Sequence, residues 1–243
     1  MKSLSFFLFA LSLNAQAPVV TADLRGGVPV DKATVQTETL HYTINWPSGL
    51  SLGEGQLTST RTKSAAGETF TSNLTLEAAI PGFPVRESIK SEADSAYCSI
   101  DIAKDSLRGK KASKENTVFD QRKMTATRTT LNGGGKTEIS TPTCAKDALA
   151  YIFFLRHELA QGRLPLGQKV FYGSAYDLGV QYMGSQKIKI GDTQLDADRL
   201  TGTIKGPASQ TTVEIFFARD AVRTPLMVNV PLAMGKFSME LVR

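Results

Sequence analysis

Two cysteines, two histidines and a scatter of carboxylates are the side chains in this 243-residue chain whose types invite a chemical reading. Cys98 and Cys144 stand 46 positions apart and form no Cys-x-x-Cys motif, so the spacing of a redox site is missing. With two thiols only one intramolecular connectivity exists. In an oxidising compartment it reads as a structural disulfide that pins the start of a helix to a strand. Loop-closure entropy puts its contribution at roughly 4 kcal/mol, at the upper end for an unstrained bond.

His41 and His157 are the only histidines, and neither belongs to a His-x-His or His-Glu-x-x-His frame. His157 is flanked by Arg156 and Glu158 at the polar end of a predicted helix. A base there needs a cleft beside it; otherwise the three form a solvated helix end with charge suited to the dipole. Gly133-Gly134-Gly135-Lys136-Thr137 ends like a phosphate-binding loop, but Thr130 stands where the first glycine belongs, which leaves a glycine-rich hairpin turn. Gly173-Ser174-Ala175 lacks the frame of a nucleophile elbow.

Glycosidic chemistry needs two acids held a fixed distance apart. Asp177, Asp192, Asp196, Asp198, Glu214, Asp220 and Glu240 supply acids, and nothing in their spacing pairs them. The residues therefore assemble no catalytic set, no metal site and no cofactor site. Arg108, Lys110, Lys111 and Lys114, then Arg122, Lys123 and Arg128, make the middle of the chain basic. Lys110 and Lys111 would suit an acidic polysaccharide or a membrane surface. The structural alternative is a charged, exposed strand pair that resists edge-to-edge association. The aromatic interleaving of a nucleic-acid reader is missing.

The element that must organise these residues is the stretch Thr143–Leu164. Asp147 is a good N-cap, Ala148 to Leu155 is almost wholly apolar, and Gly162 suits the C-terminal end. A helix that is apolar nearly all round belongs inside a protein, wrapped by sheet on more than one side. It is far too short to span a bilayer.

Met1–Ala17 has the parts of a signal peptide: Lys2, the apolar Leu4–Leu13, and Ala15-Gln16-Ala17 before a cut after Ala17, or alternatively after Ala15. No cysteine follows at a lipoprotein position. The expected product is an exported, periplasmic or secreted protein that does not span the membrane. Residues 18–36 read as a flexible leader, and 37–243 as a single domain with no internal repeat.

From Thr37 the pattern alternates with period two: Leu40, Tyr42, Ile44 and Trp46 share one face. Further strands are marked by Phe70–Ile80, Cys98–Ile102, Met124–Arg128, Val170–Tyr172, Val180–Tyr182, Ile188–Ile190, Val213–Phe217, Leu226–Leu232 and Phe237–Leu241. The expectation is a mainly β protein. Its sheet should be a strongly curved antiparallel sheet or partly open β-barrel of about ten strands, wrapped around one central α-helix at about 147–161.

The chain also resembles the domain-of-unknown-function 3108 family of exported bacterial proteins. The segments that carry the resemblance are Glu38–Trp46, Asp147–Arg156, Phe217–Pro225 and Gly235–Leu241. Ala148 departs from the proline expected after the capping aspartate, which a helix tolerates. The resemblance implies an exported, mainly β domain and brings no activity and no catalytic residue. The leading functional expectation is a non-catalytic envelope protein that binds or carries an apolar or glycan ligand. The alternatives are a polysaccharide-acting enzyme using carboxylates, and a protein-interaction scaffold.

Overall fold

Alternation writes the first strand directly. β1 (Thr37–Asn45) buries Tyr42 and packs Leu40 against the core, while His41 faces outward. A computed structural model describes residues 37–242, apart from 65, 66, 81, 208, 233 and 234. The expected signal peptide, with its cut at Ala17, and the leader at 18–36 lie outside the described residues.

Seven more strands follow β1 as a meander: β2 (Ser51–Ser64), β3 (Gly67–Ile80), β4 (Phe83–Asp94), β5 (Ser99–Arg108), β6 (Lys111–Asp120), β7 (Thr125–Thr130) and β8 (Lys136–Ser140). The two-residue β9 (Lys146–Asp147) runs into the helix α1 (Ala148–Ala160). A second meander closes the chain: β10 (Gln168–Phe171), β11 (Ala175–Ile190), β12 (Thr193–Lys205), β13 (Gln210–Ala218), β14 (Pro225–Leu232) and β15 (Gly235–Leu241). β1 pairs with β15 and joins the meanders into one sheet, antiparallel throughout except where β9 meets β10.

The mainly β make-up with one helix stands, but the expected strongly curved sheet or partly open barrel of about ten strands does not form. Among the described residues fifteen strands lie in one open order, with β8 at one end and β9 at the other. No ladder joins those ends. β8 is almost entirely exposed, and β9 is only two residues long before the chain turns helical, so neither offers the other a partner.

The count differs because glycine, serine, threonine or charge interrupts the apolar pattern of β2, β4, β6, β8 and β12, and the two-residue β9 is too short to show a period. β2 turns Gly55, Leu57 and Ser59 inward, and β4 turns Glu87, Ile89, Ser91 and Ala93 inward. Period-two hydrophobicity is the sequence mark of a strand only where the buried face is apolar. In β11 the segments around Val180 and Ile188 form one strand, with a register shift between Tyr182 and Ser185. The extra residue reverses the faces: Val180 and Tyr182 pack on one cluster, Ile188 and Ile190 on another.

α1 begins at Asp147, whose carboxylate accepts from the Leu149 and Ala150 N–H groups at 2.9 and 3.1 Å. It ends in a Schellman closure. Gly162 takes φ 71°, and Arg163 N–H donates to the Glu158 carbonyl at 2.9 Å. Leu149 and Phe153 enter the cluster formed with Leu57, Phe70, Ile89 and Phe119. Tyr151, Leu155 and Leu159 enter the other, with Val170, Leu200 and Phe217. Burying each such side chain stabilises the fold by roughly 2 kcal/mol, so the helix ties both apolar clusters together. A cross-strand row of serines, Ser59 opposite Ser72 opposite Ser91, provides small side chains on the face the helix approaches.

Candidate functional site

The residues expected at a functional surface fall in two places. Arg156 is buried, and its guanidinium holds Glu38 through two hydrogen bonds of 2.6 and 2.8 Å. Its Nε also donates to the Val222 and Arg223 carbonyls, so this arginine fastens β1 and the β13–β14 turn to the helix. His157 is exposed, its ring 5.8 Å from that of Tyr97. Glu158 is bound by Arg163 at 2.7 and 2.8 Å, and that hydrogen bonding holds its carboxyl below the usual range. Lys110 and Lys111 are exposed at the β5–β6 turn.

Cys98 and Cys144 form a disulfide with 4.6 Å between Cα atoms. Cys98 lies in the turn just before β5 and not within a strand. Cys144 stands three residues before the helix cap. Two backbones around this bond are in the left-handed region, at Tyr97 (φ 61°) and Cys144 (φ 53°). Gln121 clamps the same crossing: its Nε2 donates to the Ser99 and Ala145 carbonyls, and its Oε1 accepts from Ala145 N–H.

A groove of about 520 Å³ opens on β10–β13, lined by Gly167, Gln168, Lys169, Asp177, Leu178, Gly179, Thr203, Lys205 and Gln210. Its surface is mostly carbon. Leu178 packs at the border of the cluster containing Tyr151 and Leu155, so the groove lies at the mouth of that core. Gly167 lets the chain run close against β11, because a Cβ there would stand 3.1 Å from the Leu178 carbonyl. Charges mark the rim. Lys169 binds Asp177 at 2.7 Å and holds its carboxyl low, and Lys205 stands across the strand from Asp177 without an ion pair among the described residues. Gln168 Nε2 is buried with no hydrogen-bond partner.

A second polar cluster links the two meanders. Glu87 on β4 is buried and accepts from Ser106 Oγ at 2.5 Å, from Arg108 Nη2 at 3.1 Å and from the Tyr172 hydroxyl. Lys104 stands 4.5 Å over the Tyr172 ring and pairs with Glu115 at 3.0 Å, while Arg128 donates to the Gly173 carbonyl at 2.7 Å. Burial pushes the Tyr172 hydroxyl pKa up, and the Glu87 carboxylate adds to that. Sequence reading missed this cluster: Glu87 and Tyr172 are 85 residues apart, and Glu87 interrupts the inward face of its strand.

Fold and site together define a one-helix, open β-sheet domain with a carbon-walled surface groove. The chain belongs to the DUF3108 family, described as a protein of unknown function, which it matches over residues 39–242. Among solved structures it is similar to a beta-barrel-like protein of the domain of unknown function DUF1849 from Brucella abortus. The TM-score is 0.59 at 9% identity, over 85% of this chain and 95% of the other. At that identity the likeness is one of fold. No curated protein matches the chain. No helix among the described residues is long and apolar enough to cross a membrane.

Proposed function

We propose that this chain is an exported, non-catalytic binding or carrier domain of the cell envelope, periplasmic or secreted, whose groove on β10–β13 holds an amphipathic ligand. One observation carries the reading: the trough over Leu178 and Gly179 is carbon-walled while Lys169 and Lys205 line it, with the buried Gln168 Nε2 unpartnered beside it. An apolar chain fits the floor, and an anionic or hydroxylated head, of lipid or glycan chemistry, fits the rim. The signal-peptide pattern of Met1–Ala17 and the disulfide support export.

Native mass spectrometry of protein purified from its own envelope, compared with the same sample denatured, tests this. The expected result is an extra mass lost on denaturation and reduced in Leu178→Asp. A bare mass in the wild type, with no uptake of lipid or glycan on titration, overturns the proposal.

A second reading, turnover of a polysaccharide, is supported by the linked series Glu87, Tyr172, Lys104 and Glu115, which brings two acids, a phenol and an ammonium together. On that reading Glu87→Gln abolishes release of reducing ends from acidic polysaccharides. If the wild type releases none, the reading fails.

A further inference from the structure

Lys146 is a buried cation whose direct contacts are neutral. Its Nζ donates to the Cys144 carbonyl at 3.2 Å, lies 3.1 Å from Cys144 Sγ, and stands 4.5 Å over the Phe154 ring. Only 6% of Lys146 is exposed, and it makes no ion pair among the described residues. The charged groups that face it are already engaged. Asp94 on β4 accepts from the Ala96 and Cys98 N–H groups, and Glu158 on α1 is held by Arg163. His157 and Tyr97 lie against one another beside Phe154. A disulfide sulfur is a weak acceptor and gives an ammonium little in return for leaving water. A thiolate at the same position is a full counter-charge.

We infer that Cys98–Cys144 is a reversible thiol–disulfide couple that exchanges with a dithiol oxidoreductase, with Cys144 as the reacting sulfur and Lys146 as the positioning residue for its thiolate. Cys144 is the more exposed of the two sulfur-bearing residues, and Cys98 is buried. In reduction a partner thiolate attacks Cys144 Sγ. The Cys98–Cys144 bond breaks, and Cys98 leaves with the electron pair and takes a proton. The second partner thiol, as its thiolate, then attacks the partner's sulfur in the mixed disulfide. The partner becomes a disulfide and Cys144 is released as the thiolate facing Lys146. Two electrons pass to this chain and two are lost by the partner, and oxidation runs the same steps backwards.

Hydrogen bonds besides the disulfide hold the two cysteine segments together. Ser99 N–H donates to the Ala145 carbonyl at 2.8 Å, Gln121 bridges the same two residues, and Asp147 is bound by Ser91 and Ser99. These contacts keep the two thiols adjacent and ready to reoxidise.

The test uses the full chain. Cys98→Ser isolates Cys144, and its iodoacetamide alkylation rate is followed against pH, alone and with Lys146→Met or Lys146→Arg. The expected profile rises below the ordinary thiol range; Lys146→Met slows alkylation at pH 7 by roughly tenfold, and Lys146→Arg restores most of the rate. If Cys98→Ser fails to fold, the wild type is reduced by a phosphine and Cys144 labelling is read by mass spectrometry with the same Lys146 variants. An unchanged profile in Lys146→Met overturns the proposal. So does a disulfide that dithiothreitol reduces only after denaturant unfolds the protein.

Discussion

Asp147 carries more contacts than its place at a helix start requires. Besides capping α1 it accepts from Ser91 and Ser99 hydroxyls at 2.7 and 2.6 Å, and its own N–H donates to Ser99 Oγ. Burial pushes its carboxyl pKa up while those donors pull it down, so every oxygen is matched. Asp147→Ala strands two hydroxyls and two amides in the interior. The expected loss is about 3 kcal/mol in a urea titration, larger than for a surface cap. Glu214 gives a pH signature of the opposite kind. Lys236 at 2.7 Å, with Arg199 adding, holds its carboxyl at about 2 against an ordinary 4.5. A depressed carboxyl stabilises the fold above the unfolded value and loses that contribution as pH falls from 4.5 toward 2. Lys236 is largely solvated, so the contribution is about 1 kcal/mol after screening. Glu214→Gln should flatten the fall in unfolding free energy over that window, and an unchanged slope would refute the assignment.

At the scale of elements, the helix is set by what lies beneath it. The serine row Ser59, Ser72, Ser91 forms a face of small side chains on β2–β4, and Phe153 reaches Phe70 at 4.6 Å between ring centroids. Ser72 Oγ is buried without a partner. Ser72→Ala is therefore expected to leave stability unchanged or to raise it by up to about 1 kcal/mol, because an unsatisfied hydroxyl disappears while the volume hardly changes. Leu155→Ala, at a fully buried position in the second cluster, should cost about 3 kcal/mol by opening a cavity. Denaturation midpoints of the two variants separate the effects: if both fall alike, the serine row is a bonded network and not a spacer.

At the scale of the molecule, chain connectivity and covalent linkage act together. The disulfide closes a loop of 46 residues that holds β5 to β8 and joins it to the entrance of α1. Cys98→Ser with Cys144→Ser is expected to lower stability by about 2–4 kcal/mol, read in urea against the oxidised wild type. A smaller loss would mean that Gln121 and the Asp147 network already close that loop. The open sheet has the same consequence at larger range. With no ladder between β8 and β9, the two meanders are held by the β1–β15 pair, the helix and side-chain bridges such as Glu87–Tyr172, Arg128–Gly173 and Phe119–Phe171.

Local patterns in the chain were enough to write several of its elements. An apolar stretch behind an aspartate and ahead of a glycine specified α1, its cap and its burial. Strands with an apolar inner face, from Tyr42 to Leu241, showed their period. The pairing of the two cysteines had no competitor. The remaining elements and contacts come from packing between distant segments. β2, β4, β6, β8 and β12 are strands because their neighbours pair with them, and glycine, serine, threonine or charge interrupts their own apolar pattern. Arg156 reads as a solvated helix end, and is buried because Glu38, 118 residues away, meets it with a bidentate carboxylate. The groove on β10–β13 and the Lys146–Cys144 contact also depend on tertiary packing: the strands must pair to form the groove, and Lys146 is informative because the carboxylates that face it are bonded elsewhere. Periodicity records which side of an element is apolar. It holds no record of which distant polar group will meet another, and that meeting decides where this chain's charges lie.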